Sequence, residues 1–365
     1  MTELDRIRDR YPPTKGFPLD ILGVRLAVRT NDDRVASRLA AYFAPYVSPG
    51  EVPDAPSLYV LQGDPIFAPA RLRDVAPGRP GKVSKDALYD TPWGRVVLKR
   101  RTGVVIYVAE PDHFVVGNVV RHLNQAVNAV SMIFAKAMIR RGYVMLHASA
   151  VLGSSGGVGF AAASGAGKST MALALLERGY RFITNDRLLV RAVSGRAEMA
   201  GVPKLPRVNP GTLLKLPGLR GMVPPGDRER YEQLAPAALW TVEEKHDVDV
   251  DDIFGRGTRQ LAGILRVLYF LRWDPTGEGW GVRPLDAGGR LTALRRLVKG
   301  LGVYDPRPPK EADEESALGG IAGAIEAYEV VGKADIVELR TLILDHHLAY
   351  SSGFPAAGDQ PGLGD

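Results

Sequence analysis

The chain has 365 residues, 45% of them hydrophobic and 24% charged, with a formal net charge of +6 and a sequence pI of about 9.4. This composition predicts a soluble globular protein of about two domains, and the basic residues are interspersed with acids, which argues against a dedicated nucleic-acid surface. The absence of cysteine excludes disulfides, thiol catalysis and cysteine-ligated zinc. The sequence shows neither a signal-peptide pattern nor an uninterrupted apolar run of about 20 residues, so we expect a cytoplasmic protein without membrane association.

The first predicted unit, residues 1–118, is a small α+β domain. Residues 20–29 alternate in hydrophobicity and predict one strand, residues 32–47 have helical spacing, and further strands follow between Gly and Pro turns. Residues 119–142 carry apolar side chains at spacings of three and four and end at Gly142. This pattern predicts a long amphipathic helix that links the first unit to the next one.

Residues 143–350 form the second predicted domain, and residues 351–365 are predicted to be disordered because they are rich in Gly and Pro. Its pattern begins with two strands joined by Gly153-Ser154-Ser155-Gly156, a hairpin signal. A helix, a strand and a second hairpin follow. The later predicted elements are a buried strand at 263–273 and helices at 289–302, 315–329 and 335–349.

The segment that carries chemistry reads A-A-S-G-A-G-K-S at residues 162–169, which is the Walker A spacing with Ala in the first Gly position. An apolar strand precedes it and an amphipathic helix follows, as the motif requires. The glycines let backbone N–H groups surround phosphates, the lysine reaches the β- and γ-phosphates, and the serine hydroxyl binds Mg²⁺. The residues predicted to bind ATP are Ser164, Gly165, Ala166, Gly167, Lys168, Ser169 and Thr170.

Two flanking positions extend this site. Asp186 follows Lys168 by 18 residues, at the end of the next predicted strand, and is predicted to hold Mg²⁺ together with Ser169. The alternative is an aspartate that caps a turn. If the hairpin turns between Ser154 and Ser155, His147 lies opposite residue 162, at the entry to the phosphate loop, where either a structural role or a phosphate or proton role is open.

Residues 146–190, from "LHASAV" through "GVGFAAASGAGKST" to "YRFITNDRLLV", resemble the HPr kinase/phosphorylase family, and in particular the B-type subgroup of HPr kinase-related kinases. A weaker resemblance lies in "EEKHDVDVDDIFG", residues 243–255. The likeness extends over about residues 143–270. It implies a mixed α+β fold: a P-loop kinase domain of the HPr kinase type, similar to PEP carboxykinase and built on a mixed sheet, beside the smaller N-terminal α+β domain.

The resemblance also implies a function. Such kinases use ATP and Mg²⁺ to phosphorylate a serine on a small protein or peptide, and several are homo-oligomers. The chain departs from the family at its Asp-Asp pair, which is Asn185-Asp186 here. The metal ligand is kept, but an amide cannot accept a proton as the family's first Asp does. We therefore expect kinase activity with little phosphorylase activity, and His147 as the substitute base among the catalytic residues His147, Lys168, Asn185 and Asp186.

Several alternatives stay open at this stage. The acceptor could be a small, amino-acid-like molecule, or the chain could be a regulatory module that binds nucleotide without transfer. Lys204 and Arg207 could present cations to a substrate, or belong to a solvated loop. The acids around His246 could capture substrate or bind metal, or form an exposed strand face, and Arg256 could contact a phosphate.

Overall fold

The computed structural model describes residues 2–50, 55–76, 83–163, 165–274, 280–305, 311–332 and 336–351. The chain divides into two compact units: Met1–Ala137 with Gly300–Pro308, and Met138–Lys299 with Pro309–Asp365. The division falls inside a helix, Asn124–Arg140. Residues 300–308 belong to the first unit although they follow most of the second unit in the chain. The predicted domains, in contrast, are single continuous ranges.

The first unit is built on one eight-stranded mixed sheet in the order β1-β2-β3-β8-β7-β6-β5-β4. Strand β3 runs parallel to both of its neighbours, and the remaining pairs are antiparallel. Its elements are α1 (Glu3–Arg10), β1 (Lys15–Ile21), β2 (Val24–Thr30), α2 (Asp33–Tyr42), β3 (Ser57–Gln62), β4 (Arg73–Asp74), β5 (Asp86–Thr91), β6 (Gly94–Lys99), β7 (Val105–Ala109), β8 (His113–Gly117) and the first part of α3 (Asn124–Arg140).

The single strand predicted at residues 20–29 is wrong. The structure has a hairpin there, in which Ile21 pairs with Val24 across a two-residue turn. Leu22 and Gly23 both have positive φ, 51° and 72°, as the tight turns of β-hairpins require. The alternation continues on both sides of the turn, so hydrophobicity alone hides the reversal.

The second unit contains a nine-stranded mixed sheet, described along the path β12-β10-β11-β17-β14-β13-β9, with β19 paired to β17 and β18. Strand β17 is parallel to β11 and to β19. The elements are β9 (Val144–Leu146), β10 (Ala148–Gly153), β11 (Gly156–Ala161), α4 (Lys168–Leu176), β12 (Arg181–Thr184), β13 (Leu188–Val193), β14 (Arg196–Gly201), β15 (Arg207–Val208), α5 (Pro210–Lys215), α6 (Pro225–Glu232), α7 (Pro236–Thr241), β16 (His246–Asp247), α8 (Val250–Phe254), β17 (Ala262–Trp273), β18 (Gly281–Pro284), α9 (Ala287–Arg295), α10 (Glu311–Ala324), β19 (Glu326–Gly332) and α11 (Ile336–Ser351).

Helices cover both faces of this sheet. On one face α4 and α11 pack over β10 and β11, with Met171, Leu339 and Phe160 in the core. On the other face α9 and α10 bury Leu294 and Leu318 against the alternate strand residues. Side chains at successive strand positions point to opposite faces of the sheet. Because helices cover both faces, the residues that point to either face are apolar.

Two predicted helices are shorter in the structure than in the sequence pattern. The helix predicted at 315–329 ends at Ala324, and Glu326–Gly332 forms β19. The helix predicted at 289–302 ends at Arg295. In both cases the last residues pair with a strand of the sheet, and this pairing overrides the local helical spacing.

The topology that positions the site is local and simple. Strands β10 and β11 pair with Ala148 opposite Ala161 and Gly153 opposite Gly156, so the predicted hairpin register is confirmed. Strand β12 pairs with the other edge of β10, antiparallel like β11. β11 and β12 therefore run in the same direction, and the residues after each strand meet at one edge of the sheet.

Candidate functional site

The loop between β11 and α4 has the backbone of a phosphate-binding turn. Gly165 and Gly167 have φ of +85° and +88°, which side chains with a Cβ rarely adopt. A Cβ at Gly165 would meet no atom within 4 Å, so the space beside this residue is open. Ser164, predicted to bind ATP, lies outside the described residues.

Helix α4 begins at Lys168, and Gly167 offers no side chain to cap it. The first N–H groups of the helix therefore remain available for an anion. The N–H of Ala166 is engaged within the loop, where it donates to the carbonyl of Ala163 at 3.1 Å. The N–H groups available to a phosphate are therefore those of the first turn of α4, and the N–H of Ala166 is not among them.

Lys168 is held over the start of the loop. Its Nζ donates to the carbonyls of Ala162 at 2.8 Å and Ala163 at 3.1 Å, and the residue is 7% exposed. Burial lowers the pKa of this ammonium group; the Asp186 carboxylate opposes that effect and Lys299 adds to it. A poorly solvated cation at this position interacts strongly with any phosphate in the loop.

The two hydroxyls that follow differ in role. Ser169 Oγ donates to the carbonyl of Asn185 at 3.4 Å, which joins the start of α4 to the end of β12. Thr170 Oγ1 lies 2.9 Å from Thr212 Oγ1 in the interior and is 4% exposed. The Thr170 side chain is therefore a packing contact, and only its backbone remains for the predicted nucleotide contact.

Asp186 and His147 form the polar centre of the site. His147 Nδ1 lies 3.0 Å from Asp186 Oδ1 and 3.3 Å from the carbonyl of Asp186. Both side chains are partly exposed. The Asp186 carboxylate contacts a histidine distant in sequence. The alternative of an aspartate that caps a turn does not account for this contact.

A third residue completes this group, and the sequence pattern does not reveal it. Lys299 Nζ lies 3.2 Å from both carboxylate oxygens of Asp186 and 3.2 Å from His147 Nδ1. Residues 297–299 run beside β9: the N–H of His147 donates to Leu297 and the N–H of Lys299 donates to Met145. This backbone pairing fixes the lysine next to the histidine.

The surrounding cations keep Asp186 ionised. Burial by itself raises the pKa of the carboxyl, but the hydrogen bond from His147 and the charges of Lys299, His147 and Arg187 outweigh burial and hold the pKa well below its usual range. His147 Nδ1 can donate to Asp186 or accept from Lys299, but a single nitrogen cannot do both. In the first arrangement Nε2 carries the free lone pair and can act as a base.

Asn185 joins the site through its backbone. Its carbonyl accepts from Ser169, and its neighbours Thr184 and Asp186 belong to the end of β12 and the polar centre. The predicted site residues His147, Lys168, Ser169, Asn185 and Asp186 are thus brought to one edge of the sheet.

The segment of Lys204 is not a solvated loop. Val202 and Leu205 are buried, and Gly201 packs so tightly that a Cβ would lie 2.0 Å from the Ile183 carbonyl oxygen. Burial lowers the pKa of Lys204 to about 8, reinforced by Arg187 and Arg207 and opposed by Asp186 and Asp247. Lys204 is therefore a cation at the same edge as Asp186.

Replacing Lys204 by methionine is expected to stabilise the protein at pH 7, by on the order of 3 kcal/mol, since each pKa unit corresponds to ~1.4 kcal/mol. Between pH 8 and 10.5 the unfolded chain binds the lysine proton more tightly than the folded chain, so wild-type stability rises with pH in that window. Urea unfolding should show that the stability gain of Lys204→Met over the wild type is smaller at pH 10.5 than at pH 7. The exposed control Lys245→Met should change neither value, and an advantage that does not depend on pH would contradict the burial argument.

Among the acids of residues 243–255, Asp249 and Asp251 stabilise the local fold. Asp249 caps α8 and accepts from Arg259, whose backbone N–H donates to Asp251. His246 lies in the two-stranded β15–β16 sheet, beside the ion pair of Arg207 and Asp247. Within the described ranges no group of three or more His, Asp or Glu side chains could hold a metal ion, so the predicted metal cluster alternative has no support.

No protein-family model and no curated protein matches the chain. Among solved structures it is similar to the Hpr(Ser) kinase/phosphatase from Coxiella burnetii, with 12% sequence identity, a TM-score of 0.31, and coverage of 57% of this chain and 93% of that one. Among the described helices, none has the length and apolar character needed to cross a bilayer.

Proposed function

We propose that this chain is an ATP- and Mg²⁺-dependent phosphoryl transferase that acts on a serine of a small protein or peptide. The observation that carries the proposal is the meeting of the phosphate loop with the Asp186–His147 pair at one sheet edge, joined by the Ser169–Asn185 hydrogen bond. The serine acceptor is taken from the resemblance of residues 146–190 to HPr kinases. Nucleotide, metal and acceptor are all part of the proposal.

The residues present fit a nucleotide triphosphate. The uncapped start of α4, the open space at Gly165 and the cations Lys168, Lys204 and Lys299 all favour anionic oxygens. Ser169 and Asp186 provide the hydroxyl and carboxylate oxygens that Mg²⁺ prefers, and phosphates and water commonly complete its ligand set. When bound, Mg²⁺ would neutralise charge on the phosphates.

The chain's own residues supply positioning and proton transfer. Lys168 stabilises the charge that develops on the transferred phosphoryl group. Asp186 orients His147 through Nδ1, which leaves Nε2 to accept the serine proton. Asn185 can orient the hydroxyl by a hydrogen bond but cannot take its proton.

Two further candidates remain within the proposal. A small, amino-acid-like acceptor would use the same residues, since the transfer chemistry is identical. A regulatory module that binds nucleotide without transfer is favoured by one observation: Lys299 and His147 already occupy the Asp186 carboxylate. A metal ligand held by an ammonium group must exchange that partner before it binds a metal ion.

Incubation with γ-labelled ATP, Mg²⁺ and a cell lysate separates the three candidates. The proposal expects label in a discrete protein band that is lost with Lys168→Ala. Label only in a small molecule supports the small-acceptor candidate. ATP binding without label in either fraction would refute both kinase forms and leave the regulatory module.

Asn185→Asp is expected to create or raise phosphorylase activity at least tenfold, because it supplies the missing base, whose contribution is typically about 10²–10⁴-fold. The assay measures pyrophosphate released when the isolated phosphoprotein is incubated with inorganic phosphate. Asn185→Ala is the matched control, since it removes the amide without adding a carboxylate, and should show no gain. Equal activity in both variants and wild type would show that position 185 does not touch the reacting phosphate.

A further inference from the structure

A cavity lies in the second unit, at the opposite end of α4 from the phosphate loop. It has a volume of about 260 Å³. Four charged residues, Glu177, Arg178, Lys215 and Arg340, stand around an apolar lining that includes Ala174 and Leu216. Glu177 follows Lys168 by nine positions along α4 and its C-cap, a rise of about 13.5 Å at ~1.5 Å per residue, so this cavity is not part of the nucleotide site.

The charges around the cavity are unbalanced. Glu177 is already satisfied: its Oε2 accepts from Arg340 at 2.9 Å and its Oε1 from the N–H of Gly218 at 3.0 Å. Both side chains of this ion pair are largely buried, at 17% and 18% exposure. Arg178 and Lys215 form no ion pair with any other described side chain. The lining therefore carries two positive charges in excess.

Two later arginines of this unit, by contrast, are compensated. Arg220 pairs with Glu232 at 2.6 Å and Arg230 pairs with Glu244 at 2.9 Å. Arg178 and Lys215 both line one concave surface. An arginine and a lysine across a cavity offer both a planar fork of donors and a point charge to a single anion.

We infer that this cavity binds a small organic dianion, of which phosphomonoesters and dicarboxylates are the two sources. The two excess positive charges of the lining match a ligand that carries two negative charges. The volume lies just below the ~300–1,000 Å³ typical of pockets for drug-sized ligands, so the carbon skeleton is short. The apolar side chains that reach the cavity surface, Pro217 and Val337, would contact that skeleton. This inference does not rest on phosphoryl transfer.

Isothermal titration of the full chain with glycerol phosphate and with succinate tests the inference. The titrations are performed in a Lys168→Ala background, which weakens phosphate binding at the loop, and the cavity variants distinguish binding at the cavity from the remainder. We expect saturable binding of at least one probe, weakened about tenfold or more by Arg178→Gln and by Lys215→Gln, since each removes a charge-assisted hydrogen bond. The probe that binds more tightly identifies the source.

Arg196→Gln is the matched control, because Arg196 is an exposed arginine in a hairpin of the same unit. It should leave the affinity unchanged. Circular dichroism spectra that match the parent confirm that each variant is folded. Absence of binding for both probes up to about 10 mM, well above ordinary ligand concentrations, would overturn the inference. So would binding that Arg178→Gln and Lys215→Gln leave intact.

Discussion

Replacing Lys168 by alanine is expected to lower kcat for phosphoryl transfer by about 10²–10³-fold, the loss typical when one preorganised donor to a transition state is removed. Lys168 is nearly buried and held by two loop carbonyls, so its charge acts in a region of weak screening. Phosphoryl transfer depends almost entirely on positioning and charge stabilisation, so loss of this charge is expected to slow the proposed reaction strongly. Initial rates of label transfer with saturating ATP measure the effect.

Two controls separate charge from structure. Lys245→Ala removes an exposed lysine of the same unit and should leave the rate unchanged. Circular dichroism spectra of Lys168→Ala should match those of the wild type, which shows that the variant is folded. A rate within threefold of wild type would show that the loop does not hold the reacting phosphate.

Asp186→Asn should reduce transfer by about two orders of magnitude and raise the Mg²⁺ concentration needed for the half-maximal rate. Without metal, the same variant should bind ATP about tenfold more tightly than wild type. At an effective dielectric constant of about 20, two unit charges separated by about 8 Å interact by about 2 kcal/mol, so loss of a nearby negative charge favours the triphosphate. In the wild type both carboxylate oxygens of Asp186 contact the Lys299 ammonium group. Replacing this carboxylate by an amide therefore also frees Lys299 to contact the triphosphate.

The matched control for this second prediction is Asp247→Asn. Asp247 lies in the same neighbourhood, paired with Arg207 and half-exposed, but does not contact His147 or Lys299 in the described structure. Its metal dependence should remain that of the wild type. If Asp186→Asn keeps the wild-type Mg²⁺ requirement, the carboxylate is not the metal ligand.

The parts of the site that sequence reasoning could predict are those fixed by local geometry. The turn Gly153-Ser154-Ser155-Gly156 sets the register of β10 against β11, and that register leaves His147 at the entry to the loop. The glycine spacing determines the backbone of the loop. Each of these depends on interactions between residues close in sequence.

Lys299 could not be predicted in the same way. It lies 113 residues beyond Asp186 and was included in a predicted helix, because residues 289–302 have helical spacing. The structure ends that helix at Arg295 and pairs Val298 with Leu146 at the edge of the sheet. Only this long-range pairing brings the ammonium group to the carboxylate.

The error at residues 315–329 has the same origin. Ala327 and Val330 are buried in β19, which extends the parallel part of the sheet beside β17. The short apolar run of a buried strand and the end of an amphipathic helix look alike in sequence, and the partner strand decides between them. The choice between the two alternatives for the segment around Lys204 likewise depends on burial that no local pattern encodes.

Nucleotide binding is the property that the transferase and the regulatory module share, and a calorimetric titration of the full chain with ATP and Mg²⁺ tests it most directly. Wild-type protein should bind one ATP per chain, with the affinity reduced about tenfold or more in Lys168→Ala, because a charge-assisted contact to the phosphates is lost. Wild-type protein that binds no ATP, or that binds it equally well with and without Lys168, would contradict the assignment of residues 162–169 as a nucleotide site.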